Sequence, residues 1–112
     1  METYLYFAEN LGADALGDAL VVPASSFTGI DPIASEQTRI SFKALTGNKA
    51  DDDILLTHSS GHFKEICEAL ATILNDDSGE LVTVFDEDNA IQHPLFTNLG
   101  VTISECNITL DT

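Results

Sequence analysis

Basic side chains are scarce in this chain. Only four Lys and Arg stand against 19 Asp and Glu in 112 residues, and the formal net charge is −15 at pH 7. A charge of this size repels phosphate backbones and anionic lipid, which argues against direct binding to nucleic acid or to a membrane surface. The partners expected for this chain are therefore neutral or basic surfaces, cations, or further copies of itself.

Long apolar runs are also lacking. The sequence contains no stretch of about 20 apolar residues, so no transmembrane span is predicted. The first four residues, Met1 to Tyr4, lack the basic region and the apolar stretch of a signal peptide. We therefore do not expect secretion through a signal peptide.

Cysteine is rare, and the two cysteines cannot form a disulfide framework. Cys67 and Cys106 both fall in apolar patterns. We predict that they are reduced core residues, because free cysteine is among the most buried residue types. A disulfide between them remains the alternative, provided that their Cα atoms lie within about 7 Å of each other.

The apolar content, 44% of the residues, is ordinary for a globular protein. A chain of this length fits one domain, so residues 1–112 are predicted to form a single domain. The carboxylates cluster between apolar segments, at Asp51–Asp53, Asp76–Asp77 and Asp86–Asp88. This placement predicts a solvated acidic rim around an intact core.

The excess negative charge predicts that the protein becomes more stable as ionic strength rises. Like charges oppose the compact state through self-repulsion, and added salt screens that repulsion. The melting temperature, followed by circular dichroism in a sodium chloride series, should therefore increase. A melting temperature that falls as salt is added would contradict this expectation.

Short apolar and alternating segments predict a mainly antiparallel sheet. The predicted strands are Tyr4–Phe7, Ala19–Val22, Thr38–Ala44, Ile54–Thr57 and Leu81–Phe85. The third strand alternates apolar and polar residues, which indicates a sheet with one wet face. Its outer face carries Arg39 and Lys43, which are expected to pair with acidic neighbours. The segment before this strand is predicted to turn at Gly29 and at Asp31–Pro32, with Phe27 and Ile30 docked on the core.

One amphipathic helix is predicted, from about Gly61 to Asn75. Its apolar residues recur at helical spacing and form a single stripe: Phe63, Ile66, Cys67, Leu70, Ile73 and Leu74. Ser59 or Ser60 is available as the N-cap, and the segment from Asn75 to Gly79 supplies the stop. One broad stripe indicates a helix that lies against a sheet.

The apolar positions of the last segment change phase. They fall on odd numbers at first and then on even ones: Leu99, Val101 and Ile103, then Cys106, Ile108 and Leu110. A regular strand cannot place both sets on one face, so a bulge or corner is predicted near Ser104 and Glu105. The predicted fold class is therefore α+β, with a mainly antiparallel curled sheet or small barrel and one amphipathic helix packed across it.

His58 and His62 are the residues most suggestive of chemistry. On a continuous helix their spacing of four would place both imidazoles on one face, as in helical zinc sites, and His93 and Asp51–Asp53 could add ligands. The alternative is that His58 ends a strand and His62 opens the helix, both solvated. The acidic turns favour at most weak binding of divalent cations. No residue is predicted to be catalytic, to bind a cofactor or to form a dedicated metal site.

Motifs of nucleophilic catalysis and phosphate binding are missing. The sequence has no Gly-x-Ser-x-Gly turn, no Gly-rich phosphate loop and no dinucleotide fingerprint. Because acidic residues are so frequent in this chain, neighbouring carboxylates are weak evidence for acid/base catalysis. The protein is therefore predicted not to be an enzyme and to need no cofactor.

Four segments, read in order, resemble a loose family of small acidic proteins encoded by marine bacteriophages, including those of cyanobacteria. They are Tyr4–Phe7, Val22–Ile30, Thr38–Phe42 and His62–Glu65. The resemblance covers about the first 75 residues. It implies a small, mainly β fold and a structural or accessory particle protein, located in the virion or the host cytoplasm.

Three functional hypotheses follow. The first is a non-enzymatic structural or assembly protein of a phage, which acts through self-association or contact with a larger virion protein. The alternative is an acidic binding or regulatory module that occupies a basic site on a host protein, as in acidic mimicry of nucleic acid. A metal-dependent enzyme centred on His58 and His62 is the third.

Overall fold

The structure is a computed structural model that describes residues 2–9, 19–43, 52–75 and 79–109. Within these ranges the chain forms eight strands, two α-helices and one turn of 3-10 helix at Ala24–Ser26. The strands are β1 (Tyr4–Ala8), β2 (Ala19–Pro23), β3 (Phe27–Ala34), β4 (Gln37–Phe42), β5 (Asp52–His58), β6 (Leu81–Asp86), β7 (Ile91–Gln92) and β8 (Ile103–Thr109). The helices are α1 (Phe63–Leu74) and α2 (Pro94–Asn98). The acidic pair Asp76–Asp77, Asp51 and Leu110 lie outside the described residues.

The strands form two four-stranded sheets. The first is mixed, in the order β2-β1-β6-β7, and β1 pairs with β6 in parallel. The second is antiparallel, in the order β3-β4-β5-β8. The predicted α+β fold with one main amphipathic helix is thus confirmed, and its strands are divided between two sheets that do not close into a barrel.

One cluster of buried side chains joins both sheets to α1. Its largest fully buried members come from every layer: Leu5 and Phe7 of β1, Ile40 and Phe42 of β4, Ile54 and Leu56 of β5, Ile66, Leu70 and Ile73 of α1, and Phe96 of α2. The Phe42 ring centroid lies 5.9 Å from that of Phe7 and 6.0 Å from that of Phe27. Aromatic contacts therefore connect the antiparallel sheet to the mixed one.

The prediction of a turn at Gly29 and Asp31–Pro32 is wrong, because these residues belong to strand β3. The chain tolerates Pro32 there because β3 is an edge strand, where a missing N–H need not break the ladder. The β3–β4 register shifts between Phe27 and Gly29, so the two strands stay paired although the pairing is irregular at this point. Phe27 and Ile30 pack against the core as predicted.

Strand β4 has the predicted wet face. Ile40 and Phe42 are fully buried, whereas Arg39 and Lys43 are exposed. The Arg39 guanidinium lies 3.0 Å from the Asp31 carboxylate on β3, which confirms the predicted pairing of a basic residue with an acidic neighbour. Both side chains are about half exposed, so this ion pair contributes at most about 1 kcal/mol.

Helix α1 confirms the predicted helix with two differences. Its N-cap is His62, without a side-chain hydrogen bond, so neither Ser59 nor Ser60 caps the helix. The buried positions are Ile66, Ala69, Leu70 and Ile73, whereas Cys67 is exposed. The buried stripe is therefore rotated toward Ala69, because the packing surface of the sheets, and not hydrophobicity alone, decides which flank of a broad stripe is covered.

The predicted bulge in the last strand is confirmed. The β5–β8 register pairs Thr57 with Glu105 but His58 with Ile103, which leaves Ser104 as the extra residue. Ile103 and Cys106 are consequently both buried although their numbers differ in parity. Helix α2 was missed, although Pro94 at its first turn and His93, whose Nδ1 accepts a hydrogen bond from the Leu95 N–H at 3.1 Å, are start signals.

Candidate functional site

His58 ends β5 and His62 precedes α1, so the two histidines do not share a helix. The prediction that both are solvated is wrong for His58, which is 3% exposed. Its Nδ1 lies 2.8 Å from the Ser59 carbonyl oxygen, which can only accept, so Nδ1 carries the hydrogen. In the neutral imidazole Nε2 then accepts from the Thr38 hydroxyl, which lies 2.8 Å away. Nε2 thus links β5 to β4, whereas Nδ1 is held by the backbone of the residue that follows β5.

The other candidate ligands are held apart. His62 Nδ1 lies 4.0 Å from Glu65 Oε1, which is too far for a hydrogen bond. His93 caps α2, and Asp52 is 3% exposed in β5, which corrects the expectation that this carboxylate belongs to a solvated rim. In residues 2–9, 19–43, 52–75 and 79–109 no three His, Cys, Asp or Glu side chains are grouped to hold a metal ion.

Three polar side chains, one in β7 and two in the residues that directly follow β1 and β6, accept hydrogen bonds along the outer edge of β8. The Ile108 N–H donates to Glu9 Oε2, the Cys106 N–H to Glu87 Oε1 at 3.0 Å, and the Ile103 N–H to Gln92 Oε1 at 2.9 Å. We call these three acceptors, Glu9, Glu87 and Gln92, the β8 seam. They occupy three backbone N–H groups that an edge strand would otherwise present to another strand.

A pocket of about 430 Å³ opens beside the β8 seam. Two of its polar lining side chains, Glu87 and Gln92, already bond to β8, and Gln92 Nε2 also donates to the Val101 carbonyl at 2.8 Å. These groups therefore fix the position of β8 relative to the mixed sheet. Their hydrogen bonds in this pocket serve the fold.

An apolar groove of about 450 Å³ runs between the other edge of the antiparallel sheet and α1. We call it the β3–α1 groove. It is lined by Phe27 and Ile30 of β3, by Cys67, Leu70, Ala71 and Leu74 of α1, and by Asn75. None of these seven residues is charged, in a chain in which 21% of residues are. Cys67 thus lies in this groove and not in the core, contrary to the prediction.

The two cysteines are both free and differ in environment. Burial, together with the nearby Glu9 and Glu87 carboxylates, raises the pKa of Cys106 to about 12. A raised thiol pKa lowers the thiolate fraction at any pH below it, and only the thiolate is a good nucleophile. The prediction of a reduced core cysteine is therefore confirmed for Cys106 alone.

Thiol labelling should distinguish these two environments. With iodoacetamide at pH 8 and low protein concentration, we expect one alkylation in the folded protein, at Cys67, and two after unfolding. Intact-mass spectrometry and peptide mapping measure both numbers, and Cys67→Ser provides a control that should take up no label while folded. Rapid labelling of Cys106 in the folded protein would contradict the burial that raises its pKa.

Comparison with protein families, curated proteins and solved structures found no match to this chain. The resemblance to marine phage proteins stays a prediction. In the part of the chain that the structure describes, neither helix combines the length and the apolar character required to cross a membrane.

Proposed function

We propose that this chain is a non-enzymatic assembly protein, in the virion or the host cytoplasm of a phage, which contacts further copies of itself or a larger particle protein. The observation that carries this proposal is the difference between the two edges of the antiparallel sheet. Edge strand β8 is covered by the β8 seam, whereas β3 pairs with β4 on one side only within the described residues. An edge strand next to an apolar groove is a surface suited to protein contacts.

The hydrogen bonds of the buried polar side chains support a role without catalysis. His58 joins two strands, and the polar side chains of the β8 seam bond to backbone N–H groups. Side chains whose donors and acceptors serve the fold in this way stabilise it and are not poised for proton transfer to a substrate.

Light scattering of the purified protein and mass spectrometry of purified virus particles test the proposal together. We expect either oligomers in solution or stoichiometric amounts of the protein in particles. A protein that is strictly monomeric and also missing from particles would overturn the assembly function.

A second candidate function rests on the distribution of charge. Residues 19–43 hold two acidic and two basic residues, so the net charge of −15 comes entirely from the rest of the chain. Such an acidic remainder fits a module that occupies a basic site on a host protein. The salt dependence distinguishes the two functions, because attraction to a basic site weakens with salt, whereas contact between acidic copies strengthens.

A further inference from the structure

The cavity beside the β8 seam has the size and the lining of a small-molecule site. We call it the seam pocket. Its volume of about 430 Å³ falls within the range of about 300–1,000 Å³ that is usual for ligand pockets. Three of its lining residues are apolar and four are polar: Phe85, Ala90 and Ile103, then Glu87, Gln92, Thr102 and Ser104. An apolar lining with a few polar groups can hold a ligand in one orientation.

The polar side chains of the seam pocket are acceptors, because the protein already uses most of their donors. Gln92 Nε2 donates to two protein oxygens, at 2.9 and 2.8 Å, so both of its hydrogens are used. The Ser104 hydroxyl donates its one hydrogen to a backbone carbonyl of β5. Glu87 is a carboxylate without a donor, and the Thr102 hydroxyl can also accept. This lining therefore matches a ligand that is rich in donors.

The charges around the seam pocket favour a cation. Among the residues that line it, all within the described part of the chain, Glu87 alone is charged. The carboxylate of Glu9 follows that of Glu87 along the edge of β8. Burial and these two carboxylates together raise the pKa of Cys106, so both charges lie close to it. Guanidinium and ammonium groups combine positive charge with donors and have no acceptor.

The lining is fixed before a ligand arrives. Glu87 Oε1 and Gln92 Oε1 accept backbone N–H groups of β8 at 3.0 and 2.9 Å, so binding need not order these side chains. Ala90 has a φ of 55°, a left-handed conformation that glycine adopts more easily. The chain therefore keeps a strained alanine in the lining, and strain of this kind concentrates at ligand sites.

We propose that the seam pocket binds a guanidinium or ammonium group carried on a short apolar stem. The cation contacts Glu87 and the hydroxyl acceptors, and the stem lies against Phe85 and Ile103. An arginine or lysine side chain of a partner protein and a free small amine both have this chemistry. The inference goes beyond the proposed assembly function and does not depend on it.

Titration of the ¹⁵N-labelled protein with N-acetyl-arginine amide tests the site by nuclear magnetic resonance. Sodium chloride at about 0.15 M, where the Debye length is about 8 Å, limits adsorption to other carboxylates. We expect saturable shift changes at the backbone N–H groups of Ile103 and Cys106 and at the Gln92 side chain. N-acetyl-citrulline amide has nearly the same shape without the charge. It should bind at least about tenfold more weakly, because hydrogen bonds to charged groups are the stronger ones.

Glu87→Gln should weaken binding of the arginine probe at least about tenfold, since it removes the charge but keeps an acceptor for the Cys106 N–H. Glu105→Gln is the control. It removes the same charge from an exposed position on β8, and the affinity should stay within about threefold of the wild type because salt screens this charge. Circular dichroism first establishes that each variant is folded.

Ala90→Gly is a second variant that should keep the fold. Glycine relieves the positive φ, so stability should stay the same or rise. Loss of the methyl group should weaken binding of the arginine probe about two- to fourfold. A variant that is at least as stable as the wild type and binds more weakly would assign Ala90 to the ligand and not to the fold.

Two further probes distinguish the possible sources of the cation. If the seam pocket takes an arginine side chain of a partner protein, N-acetyl-arginine amide should bind at least as tightly as n-butylguanidinium. The reverse order would indicate a free small cation. N-acetyl-lysine amide compares an ammonium group with the guanidinium group on a similar stem.

Three results would overturn the inference. They are a citrulline probe that binds as tightly as the arginine probe, equal weakening by Glu87→Gln and Glu105→Gln, and no saturable change at Ile103, Cys106 and Gln92. The assembly function would stand in each case, because light scattering and the analysis of particles do not depend on this pocket.

Discussion

Replacing Phe42 by alanine is expected to lower the free energy of unfolding by about 3–5 kcal/mol. Phe42 is fully buried, and its ring contacts those of Phe7 and Phe27 at centroid distances of 5.9 and 6.0 Å. Alanine would remove the side chain that links the antiparallel sheet to the mixed sheet and leave a cavity between them. Urea unfolding, followed by circular dichroism, measures the change.

Phe42→Leu is the matched variant, since leucine keeps most of the apolar volume and leaves a smaller cavity. Its loss should be clearly smaller than that of Phe42→Ala. A loss below about 1 kcal/mol for the alanine variant would mean that the two sheets do not share this core, since full burial of a phenylalanine is worth more than that.

Replacing Glu9 by alanine is expected to cost about 1.5–3 kcal/mol, although the substitution removes a negative charge from a strongly acidic chain. Glu9 is 7% exposed, and its carboxylate accepts the hydrogen bond of the Ile108 N–H. Without it, a backbone donor in β8 stays buried without an acceptor, which is costly. The same urea unfolding experiment measures this loss.

Glu105→Ala provides the charge-matched control, because Glu105 is exposed on the same strand. It should change stability by less than about 0.5 kcal/mol, as surface substitutions do. Glu9→Gln should retain part of the stability, since the amide oxygen can still accept. If Glu9→Ala proved as stable as Glu105→Ala, the β8 seam would contribute nothing to joining the sheets.

Periodic patterns predicted much of the fold. The spacing of Ile66, Leu70 and Ile73 located α1, and the phase change between Ile103 and Cys106 located the bulge in β8. Both patterns result from burial of one face of a regular element, which leaves its period in the sequence. The alternation in β4 predicted its wet face for the same reason.

Elements whose sequences show no hydrophobic periodicity were not predicted correctly. Strand β3 contains Gly29 and Pro32, which usually mark turns, and it forms because β4 supplies a pairing partner on one side. Local propensity gives way to tertiary pairing in such a strand. His58 was expected in solvent because nothing in its neighbours along the chain indicated that Thr38 would lie 2.8 Å from its ring.

The candidate surfaces were beyond sequence reasoning because their members are distant in the chain. The β8 seam brings Glu9 to Ile108, and the β3–α1 groove combines Phe27 and Ile30 with α1. The neutral charge of residues 19–43 could be counted from the sequence, but the placement of β2 in one sheet and of β3 and β4 in the other required the tertiary structure.

Composition and periodicity alone established an acidic chain with a mainly antiparallel α+β fold, one main helix and a bulged last strand. Net charge follows from counting residues, and the burial of one face of an element follows from the spacing of its apolar residues. The division into two sheets, the burial of His58 and Glu9, the exposure of Cys67 and the contrast between the β3 and β8 edges depended on the tertiary structure. These features arise where segments far apart in the chain meet, and hydrogen bonds between such segments have no local signature.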